Sequence, residues 1–126
     1  MLLNNFFYIK SFDKVPESPG KYIVHVEINE KHVIYDGHFP GMPVTPGVCL
    51  VQMVKESAGV ILEKKLTMSK ADNIKFIAIV NPMENKDLIL DLLIKANGTG
   101  LWTCEAITHF ENKIFFKLKA HYSEIE

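Results

Sequence analysis

Apolar and polar residues alternate from Lys21 to Asn29, with Tyr22, Val24, Val26 and Ile28 on one side and Ile23, His25, Glu27 and Asn29 on the other. A period of two is that of a strand with one face on a core. Asn29-Glu30 then predicts a turn, and His32–Tyr35 a second short strand. Between Pro46 and Leu66 the period changes: Val48, Val51, Val54, Ala58, Ile61 and Leu62 recur three and four residues apart, which predicts a helix of about five turns. Thr45 is placed to cap that helix with its hydroxyl, and Pro46 suits the first helical position, where a missing N–H costs nothing. Gly59 weakens the interior by about 1 kcal/mol relative to alanine if exposed, yet permits close packing against a sheet.

Four more runs follow the helix: Ile74–Val80, ended by Pro82; Leu88–Ala96; Leu101–Phe110; and Ile114–Tyr122. Asn97-Gly98 and Glu111-Asn112 supply hairpin turns. The order predicts an α+β domain in which one curved antiparallel sheet wraps around one long, buried central helix. Phe76, Trp102, Phe115 and Phe116 are expected to fill its core. With 126 residues and no repeat, low-complexity tract or linker, residues 1–126 read as a single domain.

Composition narrows the function classes. The chain is 48% apolar and 23% charged with a formal net charge of −1, so nothing calls for nucleic acid. Met1–Phe12 lacks the basic leader and cleavage site of an export signal, and Gln52, Lys55 and Glu56 interrupt the richest apolar stretch, so a soluble protein without membrane insertion is expected. Cys49 and Cys104 sit in apolar contexts without metal-ligand spacing and read as reduced, buried thiols, which favours a cytoplasmic location. His25, His32, His109 and His121 are scattered and read as structural or solvated rather than as metal ligands. Asp36 reads as a turn residue. Lys64, Lys65, Lys70 and Lys75 form a loose basic group that could dock an acidic partner or be an ordinary solvated face.

Chemistry concentrates in residues 36–48. Asp36-Gly37-His38-Phe39-Pro40-Gly41-Met42-Pro43-Val44-Thr45-Pro46-Gly47-Val48 packs three glycines and three prolines into a run leading straight into the helix. Such a segment restricts the backbone, and a histidine held beside a helix start is a natural proton-transfer group near neutral pH. Gly-His-Phe-Pro-Gly, followed by Val-x-Pro-Gly-Val, resembles the active-site signature of the 3-hydroxyacyl-acyl-carrier-protein dehydratases. Weaker likeness continues in Asn73-Ile74-Lys75-Phe76 with Val80 and Pro82, and in Cys104-Glu105-Ala106.

That resemblance implies a hotdog fold and a dimer whose sheets join edge to edge, with sites at the subunit interface. The substrate would arrive as a phosphopantetheine thioester on acyl carrier protein, with no metal or redox cofactor. It implies His38 as the group that takes the proton alpha to the thioester carbonyl, and backbone N–H donors at Gly47 or Val48 that polarise that carbonyl. If Thr45 caps the helix, one of those donors is already occupied.

The pattern departs at one position. Where the family keeps a glutamate or aspartate, this chain has Gln52, which can hold a hydroxyl by hydrogen bonds but cannot donate a catalytic proton. Four readings follow. Glu56, one turn and about 6 Å further along, substitutes for the acid; His38 serves as base and then acid while Gln52 orients the leaving hydroxyl; a related hotdog subunit in a heterodimer supplies the carboxylate; or the chain binds or hydrolyses an acyl thioester without dehydrating it. The expected role is dehydration of a 3-hydroxyacyl thioester in fatty-acid, polyene or polyketide synthesis, with a non-dehydrating binder or thioesterase as the alternative.

Overall fold

The alternation in Lys21–Asn29 is realised as a strand over Lys21–Ile28, and its two neighbours in the sheet come from either side of it in the sequence. The computed structural model describes residues 4–36 and 43–125. Its elements run β1 (Phe7–Lys14), β2 (Lys21–Ile28), a 3-10 turn (Val33–Tyr35), α1 (Gly47–Leu62), β3 (Lys65–Phe76), β4 (Asp87–Ala96), β5 (Leu101–Phe110) and β6 (Lys113–Ile125). The strands form a six-stranded sheet in the order β1-β2-β4-β5-β6-β3, and every pairing is antiparallel.

The inward residues of that sheet are Val24, Val26 and Ile28 of β2, Leu88, Leu90, Leu92 and Ile94 of β4, and Phe116, Leu118, Ala120 and Tyr122 of β6. They share one core with Cys49, Leu50, Met53, Val54 and Ala58 of α1. Each fully buried aliphatic side chain contributes about 1.5–3 kcal/mol, so the sheet and the helix stabilise each other through this one face. The wrapped-helix architecture expected from the sequence is the observed one.

Several elements differ in detail. His32–Tyr35 is not a strand: His32 Nδ1 accepts from the Ile34 N–H (3.0 Å) and the Asp36 N–H donates to Val33 O (2.9 Å), closing a 3-10 turn. The sixth strand is instead β1, whose Phe7 and Ile9 are half-buried while Tyr8 and Lys10 are exposed. The helix stops at Leu62, because Glu63 adopts a left-handed conformation (φ 55, ψ 42) and its N–H turns back to the Gly59 and Val60 carbonyls. Leu66 therefore belongs to β3, which starts nine residues before the expected Ile74 and ends at Phe76. Gly59 is needed for this exit rather than for contact with the sheet, since a Cβ there would meet Lys64 O at 2.9 Å. Phe115 and Phe116 are buried as expected, Trp102 is half-buried with its Nε1 donating to Glu124, and Phe76 is 56% exposed.

Of the remaining histidines, His25 is exposed, and His32, His109 and His121 each approach a neighbour. His32 holds the 3-10 turn and packs edge-on against Phe6; His121 Nε2 lies 2.7 Å from Asp72 Oδ2, and His109 Nε2 lies 3.1 Å from Asp91 Oδ1. The hydrogen bond from His121 holds the Asp72 carboxyl below the usual carboxylate range. Asp72 is the extra residue of a bulge in β3, and Ser69 at the second bulge donates to His121 O, so one histidine fastens both irregularities of an edge strand.

Candidate functional site

His38 lies outside the described residues, as do Gly37, Phe39, Pro40, Gly41 and Met42. The other candidates, Gly47, Val48 and Gln52, lie on the first turns of α1, and their surroundings are defined.

The helix start is held from two sides. The Thr45 N–H donates to Val80 O (2.9 Å), in the segment that leaves β3 and is itself held by Ile77 and Ala78 N–H groups donating to Phe115 O. The Thr45 hydroxyl and the Tyr35 hydroxyl are 2.8 Å apart in a buried hydrogen bond. Thr45 therefore does not cap the helix. Pro46, expected as the first helical residue, is the N-cap (φ −60, ψ 142), and no side chain caps the helix among the described residues. The reason is competition: the hydroxyl is already engaged by Tyr35, and a proline cap has no side-chain acceptor. The first amides of α1, at Gly47 and Val48, are thus not claimed by a side-chain cap, and they carry the partial positive charge of a helix N-terminus.

Tyr35 was not among the sequence candidates, and no local signal marks it, because its partner is ten residues away across the Pro/Gly-rich run. Burial raises its phenol to about 12, so it stays neutral and available as a hydrogen-bond partner. Thr45→Val is expected to destabilise the domain by about 1–3 kcal/mol, since it strands a buried hydroxyl. Urea denaturation measures this, and Thr45→Val combined with Tyr35→Phe should recover most of the loss by removing both partners.

Phe76 closes the other side. A Cβ at Gly47 would sit 2.5 Å from its Cζ, so the Phe76 ring can lie across the helix start only because residue 47 is glycine. The ring also stacks on Phe116, with centroids 5.1 Å apart and planes at 17°. Phe76 and Gly47, together with Val44, Thr45, Leu50 and Ile79, line a groove of about 310 Å³ at the N-terminus of α1. Its lining side chains are apolar apart from Thr45, which suits an apolar chain.

Gln52 follows one turn after Val48. Its Nε2 is buried and has no hydrogen-bond partner among the described residues, and the same holds for Oε2 of Glu56, a further turn along. A donor and an acceptor of this kind cost free energy unless something meets them. The two thiols are not part of this arrangement: both are free and buried, and burial raises both, Cys104 to about 12. No group of three or more His, Cys, Asp or Glu side chains suited to a metal is present among the described residues. Within the basic group, Lys64 approaches Glu124 (3.8 Å) and Lys70 approaches Asp72 (3.5 Å). No helix among the described residues is long and apolar enough to cross a membrane.

Comparison with known proteins shows the family and the fold. A family described as ApeI dehydratase (ApeI-like) matches residues 14–117. The 3-hydroxyacyl-[acyl-carrier-protein] dehydratase FabZ of Lactobacillus helveticus is 32% identical over 116 residues, covering 83% of this chain and 77% of the relative. Among solved structures, a chain of the dehydratase heterocomplex ApeI:P from Xenorhabdus doucetiae superimposes with a TM-score of 0.68 at 17% identity, covering 92% of this chain and 96% of that one. A hypothetical thioesterase with coenzyme A from Streptococcus pneumoniae superimposes at 0.63 with 11% identity, covering 94% and 85%. These two structures share the fold, while the family assignment rests on the sequence matches. With the six-stranded antiparallel sheet around α1 and the helix start that follows the Gly-His-Phe-Pro-Gly run, they make this chain a hotdog-fold member of the ApeI-like dehydratase family.

Proposed function

We propose that the protein removes water from a 3-hydroxyacyl thioester presented on the phosphopantetheine arm of an acyl carrier protein, in the cytoplasm and as part of a hotdog dimer. The observation that carries this reading is the uncapped start of α1. Thr45 is drawn away to Tyr35, so no side chain caps the first amides of α1 among the described residues, and Gly47 lines the groove beside them.

In this reading the thioester carbonyl accepts hydrogen bonds from Gly47 and Val48, which stabilise negative charge as it develops on oxygen. His38 takes a proton from the carbon alpha to the carbonyl, and the C–H electron pair becomes the new carbon–carbon double bond. The C–O bond at the beta carbon breaks, and the departing hydroxide takes the proton now held on the His38 imidazolium, leaving as water. Proton and charge balance without a carboxylic acid at position 52, and the Gln52 amide orients the hydroxyl.

Two observations support a second hotdog chain beside this one. Strand β3 ends the sheet, and among its exposed side chains are the apolar Met68 (37%), Ile74 (41%) and Phe76 (56%), which a second chain could cover. The similar Xenorhabdus chain comes from a heterocomplex, which favours a related subunit as readily as a second copy. A partner carrying a helix carboxylate would add the acid that Gln52 lacks, and the mass of the complex purified from its native cells distinguishes the two.

The second reading, hydrolysis or simple binding of the thioester, is favoured by Gln52 itself, which leaves the chain without the family's acid. A purified preparation given a 3-hydroxyacyl carrier protein is expected to form the 2-enoyl thioester, and to hydrate it in reverse, without releasing free carrier thiol. Thiol release with no enoyl product would overturn dehydration in favour of hydrolysis.

A further inference from the structure

Tyr35 and Thr45 stand at the two ends of the run that bears His38, and their buried hydroxyls are 2.8 Å apart. Each residue is also fixed through its backbone. The Tyr35 N–H donates to His32 O (3.1 Å) in the 3-10 turn, and the Thr45 N–H donates to Val80 O (2.9 Å) beyond β3. Thr45 nevertheless has a second set of partners within reach of its sequence position. A threonine hydroxyl commonly accepts from the N–H two or three residues further on, which here means Gly47 or Val48. The third amide of α1, at Cys49, is bonded to Pro46 O (3.0 Å), whereas those of Gly47 and Val48 have no partner among the described residues. A threonine cap and a hydroxyl–hydroxyl bond are of similar strength, so the choice between them turns on whether Tyr35 offers its own hydroxyl.

We propose that Tyr35 is a positioning residue for the thioester chemistry: by holding the Thr45 hydroxyl it keeps the Gly47 and Val48 amides open to the substrate carbonyl. The inference rests on the acyl-thioester reading above. Thr45 and Gly47 line the groove at the helix start and Tyr35 does not, so its part is played through Thr45. Two substitutions break the same hydrogen bond with opposite consequences. Tyr35→Phe releases the Thr45 hydroxyl, which turns about χ1 and accepts from Gly47 or Val48; the hydroxyl keeps a partner, and the carbonyl must displace it. Thr45→Val removes the hydroxyl itself, strands the Tyr35 phenol and leaves the amides open. The first variant therefore loses rate more than stability, and the second loses stability more than rate. A residue that only held the fold would slow both variants in step with their loss of stability.

The test uses the full chain with any subunit that co-purifies, and reads amide exchange at Gly47 and Val48 by NMR, urea denaturation, and dehydration of a 3-hydroxyacyl carrier protein. Tyr35→Phe is expected to slow exchange at one of the two amides by about fivefold and to lower kcat/KM by a similar factor. Thr45→Val should be the less stable of the two single variants and yet the faster. Tyr35→Phe combined with Thr45→Val, which removes the competing acceptor and strands no hydroxyl, should regain most of the rate lost in Tyr35→Phe. Unchanged exchange at both amides in Tyr35→Phe, or a double variant as slow as that single one, overturns the positioning role and leaves the acyl-thioester reading standing. Slowed exchange with undiminished turnover overturns both the positioning role and the use of these amides by the substrate. A wild type that turns over no 3-hydroxyacyl thioester overturns the reading and the inference together.

Discussion

His38→Ala is expected to reduce dehydration of a 3-hydroxyacyl thioester by a factor on the order of 10²–10⁴, the usual contribution of a positioned general base. In the proposed mechanism the effect is at the upper end, because the same imidazole removes the alpha proton and returns it to the departing hydroxide. The loss should fall on kcat, with KM changed little, since Gly47, Val48 and Gln52 retain their hydrogen bonds to the ground-state substrate. Steady-state kinetics on the carrier-bound substrate provide the check, and full turnover in the variant would remove His38 from the chemistry.

Gln52→Glu restores the residue type that the family resemblance leads one to expect, and it is nevertheless expected to reduce turnover by on the order of a hundredfold. The reason lies in Glu56. A second carboxyl one turn away removes the only donor of the pair and sets two acceptors against each other at buried atoms. Loss of a buried hydrogen bond to a charged group, at about 1–3 kcal/mol, together with like-charge repulsion, reaches that factor. Rate measurements on Gln52→Glu and on Gln52→Glu with Glu56→Gln check the explanation. The double variant exchanges donor and acceptor along the helix and should recover much of the lost rate, whereas a single variant faster than wild type would show that only an acid was missing.

Much of the fold was legible because its strongest signals are periodic. The alternation in β2 and β5 reports a face that a single core must bury, and the structure buries it; the three-to-four spacing locates α1, but its buried face is Cys49, Leu50, Met53, Val54, Ser57 and Ala58, and Val48 of the expected stripe is 61% exposed. The failures occur where a signal is short or depends on distant residues. Val33 and Ile34 alternate over too few residues to separate a strand from a 3-10 turn, which a single His32 side chain decides. Leu66 continues the helical spacing from Leu62 and misleads, because the helix is ended by Glu63, a residue whose left-handed conformation has no glycine to announce it. Phe76 is as apolar as any core residue, yet it lies over Gly47, where its role depends on an approach that only the folded chain displays.

The site divides in the same way. The run from Gly37 to Val48 carries the family resemblance, and the family it points to is the one the sequence matches show, while His38 itself lies outside the described residues. The availability of the helix amides was not legible, since Thr45 is a good capping residue by type and is diverted only by Tyr35. Nor was the burial of Gln52 Nε2 and Glu56 Oε2: spacing places both residues on one face, but that these atoms are buried without a partner among the described residues emerges from packing.

Removal of water from a 3-hydroxyacyl thioester is tested most directly by oxygen exchange. The purified complex is incubated in heavy-oxygen water with a 3-hydroxyacyl carrier protein, and the position of the label is read by mass spectrometry. Reversible dehydration predicts label in the 3-hydroxyl group of the recovered thioester, abolished by His38→Ala. Label confined to the carboxylate of a released fatty acid, with the 3-hydroxyl unexchanged, would contradict it.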